Sequence, residues 1–436
     1  MSERFIFMLT FLIPGSGQLL NKETKKGILA LGFTVMAWIS TIFGLLPTIM
    51  TLAVKHTSGD YSGTVTIGAQ EMIDNSFYIL VQSIFSILVI VAFLIVAYAI
   101  AIDAKRVRRA INEGETVLHT RARIKAMASD IIPHAVSAPA FILMFLFMII
   151  PAIVSIAIVF TNYKKPILPP AFLIEWVGFE NFVNLFTDPS LVAVFRETFL
   201  WTIIWTFSAT TLTIVLGTSL AVLMHNKKVK AKKFFRTIYL LPWAVPAFLT
   251  ILIFQIFFSK VGAMNTLVLP FFTGTPYATE NAIGFLTDPN LAKMTIILVQ
   301  TWLGFPFVFV LITGILQAIP DDLYEAASID GGNAWTNFWD ITFPMIMIAA
   351  APMLITQYTF NFNNVTIIYI LGASVVKPIG ATYGPLETIA SLGYQLTLDA
   401  NYATAATFTL LSSLVVSTIV LISWLKTGAF KNEEVM

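Results

Sequence analysis

Residues 324–344 read YEAASIDGGNAWTNFWDITFP and stand between two long apolar segments of the chain. The sequence predicts a short helix from Leu323 to Ile329. The small side chains of Ala326 and Ala327 would let another protein pack closely against it. Gly331 and Gly332 follow directly, and glycine ends helices because it lets the backbone turn. The stretch therefore predicts a short polar helix at the surface of an apolar layer.

The composition indicates a membrane protein. Of the 436 residues, 57% are hydrophobic and 11% are charged, and the mean hydropathy of +0.82 is far above that of an ordinary soluble domain. The sequence contains no cysteine, which excludes disulfides, thiolate metal sites and cysteine catalysis. Its four histidines are not spaced as metal ligands, so neither a metal nor another cofactor is expected.

Eight apolar segments are long enough to cross a bilayer, which takes about 20 apolar residues per helix. We therefore predict an all-α polytopic membrane protein with about eight transmembrane helices, at residues 27–54, 76–102, 135–160, 197–224, 238–258, 294–318, 342–371 and 404–425. Residues 1–26 contain an apolar run that is too short to cross, and this predicts an interfacial helix or a re-entrant turn.

The same pattern divides the chain into three parts. They are an N-terminal interfacial segment (1–26), a part with two spans and a basic loop (27–134), and a core of six spans that contains the polar loop 320–344 (135–436). Within the core, FTDPSL begins at Phe186 and LTDPNL begins at Leu286, each just before a span. Thr or Asp followed by Pro is typical of a helix start, so both segments predict helix caps.

The basic residues predict the orientation. With eight spans, 19 of the 26 Lys and Arg residues fall on the side of the N-terminus, and short loops rich in Lys and Arg are cytoplasmic. Both termini and the loop 320–344 are therefore predicted to be cytoplasmic. Five acidic residues of this loop lie on the side of the membrane that otherwise favours Lys and Arg, and they indicate a docking surface for another protein. The alternative is an acidic face that is only solvated. The five residues are Asp321, Asp322, Glu325, Asp330 and Asp340.

The predicted spans carry no charged residue deep in their apolar interiors, where one costs about 2.5–3.5 kcal/mol. Proton- or ion-coupled carriers usually keep such a residue, so its absence argues against a secondary carrier. The sequence also lacks the G-x-x-x-x-G-K-[ST] loop that holds nucleotide phosphates. Energy for transport would then come from another subunit. A membrane enzyme is a further alternative, for which Asp130 and His134 are the only pairing the sequence offers.

Uncharged polar side chains are densest in the seventh predicted span. Gln357, Phe360, Asn361 and Asn364 fall at i, i+3, i+4 and i+7, which places amides and an aromatic ring on one face of a helix. Amides donate and accept hydrogen bonds and rings offer flat apolar surface, a combination that suits a sugar. The alternative is that these amides join helices through interhelical hydrogen bonds.

The spacing around the polar loop resembles the signature loop of ABC importer permeases. That loop reads EAA, three residues, G, nine residues, I, one residue, an apolar residue and P, as the chain does with Phe343 at the apolar position. The resemblance implies a type I ABC importer permease fold with a cytoplasmic coupling helix that docks on an ATPase subunit. The residues that it assigns to coupling are Glu325, Ala326, Ala327, Asp330, Gly331 and Pro344.

A second resemblance covers about residues 182–425. The phrases YLLPWAVPAF, TWLGFPFVFVLITGILQAIPDDLYEAA and FNFNNV are similar to those of MalF-type permeases of maltose and maltodextrin importers. The resemblance implies sugar contacts from spans five, six and seven, at Trp243, Ala247, Gln300, Leu303, Gly304, Phe307, Gln357, Phe360, Asn361 and Asn364. Five of them differ from the maltose pattern, with Trp243 and Phe307 in place of tyrosines, Ala247 and Gln357 in place of serines, and Gln300 in place of asparagine.

The resemblance also implies the partners and the location. We expect a second homologous, MalG-like permease subunit, two cytoplasmic ATPase subunits, an extracellular sugar-binding protein and membrane lipids, and no nucleic acid. The chain would be a multi-pass protein of a bacterial plasma membrane. Maltodextrins are the first expectation for the substrate, and galacto-, arabino- and raffinose-type oligosaccharides are the alternatives.

Overall fold

The structure is a computed structural model of the whole chain. It describes residues 2–47, 49, 64–67, 70–73, 76–114, 136–168, 174–226, 228–275, 277, 280–373, 375 and 383–427. Asp130 and His134, the pairing that an enzyme would need, and part of the predicted basic loop lie outside these residues. The chain folds as two compact units, Met1–Asn181 and Phe182–Met436.

In the described residues of the first unit there are five helices and one small hairpin. The helices are α1 (Glu3–Leu12), α2 (Ser16–Leu20), α3 (Thr24–Ser40, continued by a π-helical turn at Thr41–Leu45), α4 (Ser76–Asn112) and α5 (Val136–Val159, with a π-helical turn at Phe145–Ile149). Strands β1 (Thr64–Ile67) and β2 (Gln70–Ile73) pair antiparallel, with Thr64 opposite Ile73.

The second unit is helical throughout its described part. Its elements are α6 (Glu180–Thr187, which begins at the boundary), α7 (Pro189–His225), α8 (Lys232–Ala244), α9 (Ala247–Phe257), α10 (Met264–Thr273), α11 (Pro289–Ala318), α12 (Asp321–Ile329), α13 (Phe343–Phe362), α14 (Val365–Gly372), α15 (Ile389–Leu398) and α16 (Tyr402–Thr427). A turn at Ala334–Thr336 and a π-helical turn at Asn337–Thr342 lead into α13.

The predicted helical membrane architecture is confirmed, with the small hairpin β1–β2 as an addition to the all-α prediction. Among the described residues, seven helices are long and apolar enough to cross a membrane, and the bent pair α8–α9 makes eight when it is counted as one span. The predicted caps are confirmed as well. Asp188 and Asp288 are the N-caps of α7 and α11, and each carboxylate accepts hydrogen bonds from the two backbone N–H groups that follow the proline.

The contacts of the bent pair show that it crosses the helical layer once. Tyr239 of α8 packs against Phe309 in the second half of α11, with ring centroids 5.4 Å apart. Beyond the end of α9, the ring of Phe258 lies 5.6 Å from Phe285, which precedes the start of α11. Gln255 donates to the backbone oxygen of Ile370 at 2.8 Å, near the end of α14. The pair therefore passes from the second half of α11 to the segment before its first residue, in the direction opposite to that helix.

The fifth span is not the straight helix that the sequence predicted. Its two halves meet at an angle of 91° between Ala244 and Ala247. Pro246 explains the bend, because proline restricts the preceding residue to extended conformations, and Val245 has φ −113° and ψ 135°. Pro246 also has no N–H with which to continue a helix.

The N-terminal helices form a hairpin on α4. α1 runs along α4, and the chain turns at Pro14 and Gly15 into α2. Gln18 and Asn21 then donate hydrogen bonds to the backbone oxygens of Ile100 and Ala104 at 2.9 and 2.8 Å. Gly15 is required at the turn, because its φ is +107° and a Cβ would lie 2.5 Å from the backbone oxygen of Gly27.

The second unit is built around the packing of α7 on α11. A Cβ added at Gly217 would lie 2.6 Å from Cβ of Val308, and one added at Gly304 would lie 2.8 Å from Cγ2 of Thr213. The two helices therefore approach closely where glycine leaves room, as spans commonly do in membranes, where apolar burial alone does not join helices. Gly304, a predicted sugar contact, thus also serves this packing.

Candidate functional site

Three of the predicted amide residues lie where α7, α11 and the α13–α14 span meet. Asn361 is 1% exposed and donates from Nδ2 to Oγ1 of Thr210 on α7 at 2.9 Å. Asn364 donates from Nδ2 to Oε1 of the buried Gln300 on α11 at 3.2 Å. The interhelical hydrogen bonds, which were the alternative interpretation of these amides, are therefore present. Contact between these amides and a sugar stays a prediction.

The seventh span is interrupted at this point. The sequence predicted one helix through residues 342–371, but α13 ends at Phe362 and Asn364 is the N-cap of α14, with φ −77° and ψ 95°. The expectation of one continuous helical face through Asn364 was therefore wrong. Trp205 of α7 stabilises the interruption, because its Nε1 donates to the backbone oxygen of Asn361 at 2.9 Å. At the break, side chains of the same unit therefore form hydrogen bonds with Asn361 and Asn364.

Some hydrogen-bonding capacity at this interface is unused. Oδ1 of Asn361, Oγ1 of Thr206 and Oγ1 of Thr213 are buried and have no hydrogen-bond partner within the described part of the chain. Buried polar atoms are nearly always paired with protein or ordered water. These three acceptors therefore leave room for polar contacts beyond those among the helices themselves.

The aromatic part of the candidate site lies at the bend of the fifth span. Trp243 is 53% exposed next to the end of α8, and its ring centroid lies 6.1 Å from that of Phe307 on α11. Ala247 is exposed at the first position of α9, directly after the bend. The structure thus brings Trp243, Phe307 and the bend together at an accessible surface.

The other predicted contacts differ in accessibility. Leu303 is half-buried and packs on the hydrophobic cluster around Trp205. Gln357 is half-buried on α13, one turn before Asn361, and Phe360 is 58% exposed. Trp243, Ala247 and Phe360 are therefore exposed in the chain, whereas the side chain of Asn361 is enclosed between α13 and α7.

The short helix predicted from the opening stretch is confirmed as α12. It ends in a Schellman motif, in which Gly332 N–H donates to the oxygen of Ala327 at 2.8 Å and Gly331 N–H to the oxygen of Ser328 at 3.2 Å. Gly331 has φ +83°, a conformation that favours glycine. The two glycines therefore stop the helix as the sequence indicated.

The other residues that are predicted to couple the chain to an ATPase subunit differ in position and exposure. Glu325, Ala326 and Asp330 are exposed, Ala327 is half-buried, and the half-buried Pro344 stands in the first turn of α13. The hydroxyl of Tyr324 lies 3.0 Å from Oγ1 of Thr342, immediately before α13. This hydrogen bond joins α12 to the base of the seventh span.

Comparison with known proteins decides the family. Residues 213–426 match the family model of the binding-protein-dependent transport system inner membrane component. The maltodextrin transport system permease protein MalC of Streptococcus pneumoniae is 39% identical over 432 residues, which are 98% of this chain and 97% of that protein. The galactooligosaccharides transport system permease protein GanP of Bacillus subtilis is 39% identical, over 99% of this chain and 100% of that protein.

The chain belongs to this family of ABC importer permeases. A crystal structure of a bacterial alginate ABC transporter, in complex with an alginate pentasaccharide-bound periplasmic protein, contains a similar fold, with a TM-score of 0.55 at 21% identity over 69% of this chain and 95% of that one. The chain is therefore a membrane-spanning permease subunit that works with other subunits of an ABC transporter, and it is not an enzyme.

The permease also uses residues that the sequence reasoning missed. Trp201, Trp205 and four threonines of α7 are buried against the other spans; the threonines are Thr202, Thr206, Thr210 and Thr213. Nε1 of Trp201 donates to the oxygen of Leu386 at 2.9 Å, and Thr202 accepts from the N–H of Ile389 at 3.0 Å. A spacing of three or four residues, which puts these side chains on one face of a helix, is the signal that could have found them.

One group at the edge of the permease core has a shifted pKa. Burial raises the pKa of Tyr383 above its usual value of 10.0, and the nearby carboxylates of Asp399 and Glu387 raise it further. The phenol is therefore neutral at physiological pH and adds no negative charge to this segment between α14 and α15.

The bond between Thr210 and Asn361 can be tested with a matched pair. Thr210→Val keeps the shape and removes the acceptor of a buried amide, so we expect the free energy of unfolding to fall by about 1 kcal/mol. Thr213→Val removes an equally buried hydroxyl that has no partner within the described residues, so no loss is expected. Thermal unfolding of the purified permease measures both, and equal losses would contradict the assignment.

Proposed function

We propose that this permease carries oligosaccharides into a bacterial cell, with maltodextrins as the first candidate substrate. The observation that carries the proposal is the exposed bend between α8 and α9. A broken helix at membrane depth leaves backbone groups without helical partners, and lipid cannot satisfy them. The bend must therefore face either a polar cavity or another protein.

The side chains around the bend favour a sugar as the cavity's ligand. Trp243 and Phe307 present flat apolar rings, which suit the apolar faces of sugar rings, and no charged side chain lies between Trp243 and Ala247. The names of the relatives support the same class, since MalC transports maltodextrin and GanP transports galactooligosaccharides. Their equal identity to this chain makes galacto-oligosaccharides the second candidate.

The proposed assembly contains a second homologous, MalG-like permease, two cytoplasmic ATPase subunits and an extracellular sugar-binding protein. The chain itself lacks a nucleotide-binding loop, so ATP must be hydrolysed elsewhere. The distribution of Lys and Arg supports a cytoplasmic position for both termini and for α12. The exposed Glu325 on α12 would then offer its carboxylate to a basic group of an ATPase subunit.

The substrate is tested with the complete importer reconstituted in proteoliposomes. We expect maltotriose to stimulate ATP hydrolysis and to be taken up, and Trp243→Ala to lower its uptake about tenfold, because the loss of one aromatic contact costs about 1.4 kcal/mol. Trp176→Ala, an exposed tryptophan of the first unit, is the control and should leave uptake unchanged. Raffinose and galacto- and arabino-oligosaccharides complete the panel.

Three outcomes would change the conclusion. Uptake of galacto-oligosaccharides alone would replace maltodextrins by the second candidate. Uptake in vesicles without ATPase subunits would indicate a secondary carrier. No uptake of any sugar in the panel would contradict the proposed substrate class.

The coupling role of α12 is tested by reversing the charge of Glu325. We expect Glu325→Lys to insert and assemble normally but to abolish sugar-stimulated ATP hydrolysis, because the docking carboxylate becomes a cation. Glu280→Lys makes the same charge change on an exposed residue outside the five-acid docking surface and should retain stimulation. Normal stimulation in Glu325→Lys would remove the docking role from this residue.

A further inference from the structure

A basic cleft lies between α1 and α4 in the first unit. It has a volume of about 410 Å³, and its lining includes Glu3, Phe7, Tyr98, Lys105, Arg106 and Arg109. The lining holds three positive charges and one negative charge, and Nε of Arg109 also donates to Oε1 of Glu113 at 2.8 Å, so the positive charge of the cleft rests mainly on Lys105 and Arg106. Lys105, Arg106 and Arg109 are exposed on one face of α4, at spacings of one, three and four residues. The cleft therefore attracts anions.

The cleft stands where α4 changes from apolar to charged. From Phe77 to Ile102 the helix contains no charged residue, and beyond it come Asp103, Lys105 and Arg106. Such a change marks the level at which a transmembrane helix leaves the hydrocarbon layer. Tyr98 supports this placement, because tyrosine is enriched at membrane–water interfaces. The cationic cleft thus lies at the depth of lipid headgroups.

Three aromatic rings connect the basic cleft to an apolar one. The ring of Phe7 lies 5.8 Å from Tyr98 and 6.3 Å from Phe11 on the next turn of α1. Phe11 in turn lines a second cleft of about 120 Å³ between α1, α3 and α4, with Phe33, Trp38, Phe93 and Ala97. The basic and apolar clefts are therefore neighbours along one side of the α1–α4 pair, with the three rings between them.

We propose that these two clefts bind one anionic glycerophospholipid, such as phosphatidylglycerol. Its phosphate would lie against Lys105 and Arg106, and an acyl chain would follow the aromatic rings into the apolar cleft. Basic pockets between transmembrane helices bind anionic headgroups, and each basic side chain near an anionic surface strengthens binding about fivefold. A free phosphate would use only the basic cleft, so the apolar cleft favours the lipid. This proposal does not depend on the transported sugar.

The site is tested with the complete importer in nanodiscs of equal parts phosphatidylglycerol and phosphatidylcholine. After extraction into detergent, mass spectrometry of the retained lipid should show phosphatidylglycerol enriched on the protein. The double variant Lys105→Gln, Arg106→Gln should lower this enrichment at least fivefold. The matched control Lys228→Gln, Lys230→Gln removes two exposed cations elsewhere and should leave it within about twofold.

The apolar cleft has its own variant. Ala37→Leu narrows it, since Ala37 lines the cleft, and should lower retention of phosphatidylglycerol with every cation in place. Gly32→Leu on the same helix points into open space and serves as control. Size-exclusion chromatography checks that each variant assembles.

Two results would overturn the proposal. The first is equal enrichment in the wild type, the double charge variant and Ala37→Leu. The second is displacement of the lipid by soluble glycerol phosphate together with no effect of Ala37→Leu, which would make the basic cleft a site for free phosphate only.

Discussion

Every backbone N–H and C=O group inside a bilayer needs a hydrogen-bond partner that lipid cannot supply, and this permease breaks two of its spans. At the break in the seventh span, Trp205 donates to the oxygen of Asn361, and Asn364 reaches Gln300 on α11. That break is closed by protein. At the bend of the fifth span, residues 243–249 are exposed. The two breaks therefore differ, because side chains of the same unit cover the first and none of them covers residues 243–249 at the second, which is where we propose that the substrate passes.

The closed break and the coupling helix belong to one mechanical element. Tyr324 of α12 is held to Thr342 at the base of the seventh span, and the interruption at Asn364 lies at the far end of α13. α7 contacts both α13 and α11, so a shift of α13 must separate Asn361 from Thr210 or move the three helices together. In the proposed assembly, a movement of α12 would therefore change the exposure of the buried amides within the membrane.

The sequence predicts those features whose causes are local. Apolar length determines the spans, Asp188 and Asp288 cap the helices that they precede, and Gly331 and Gly332 end α12. The bend in the fifth span also has a local cause in Pro246, although its direction does not follow from the residue alone. No proline or glycine stands next to Asn364, so the local sequence does not predict the interruption there. It depends on Trp205 and Gln300, which are distant in sequence, and so it could not be read from the seventh span.

The same reason limits the candidate site. The amide stripe was visible as a pattern, but whether Asn361 faces a sugar or Thr210 depends on the packing of α7, whose tryptophans and threonines carry no family motif. An aromatic side chain that faces lipid and one that faces a cavity also look alike in a sequence. Trp243 becomes informative only when the bend beside it is known.

The most direct test is a measurement of the water accessibility of the bend. Because the chain contains no cysteine, an introduced cysteine is its only site for a thiol reagent. Ala247→Cys in the complete importer is treated with a charged, water-soluble thiol reagent, alongside Ile253→Cys, which is 60% exposed in the chain and rotated from Ala247 by about 120° around α9. Thiolates form in water and not in lipid. We expect rapid labelling of Ala247→Cys that transported sugar slows, and slow labelling of Ile253→Cys. Equally slow labelling of both would contradict a polar cavity at the bend.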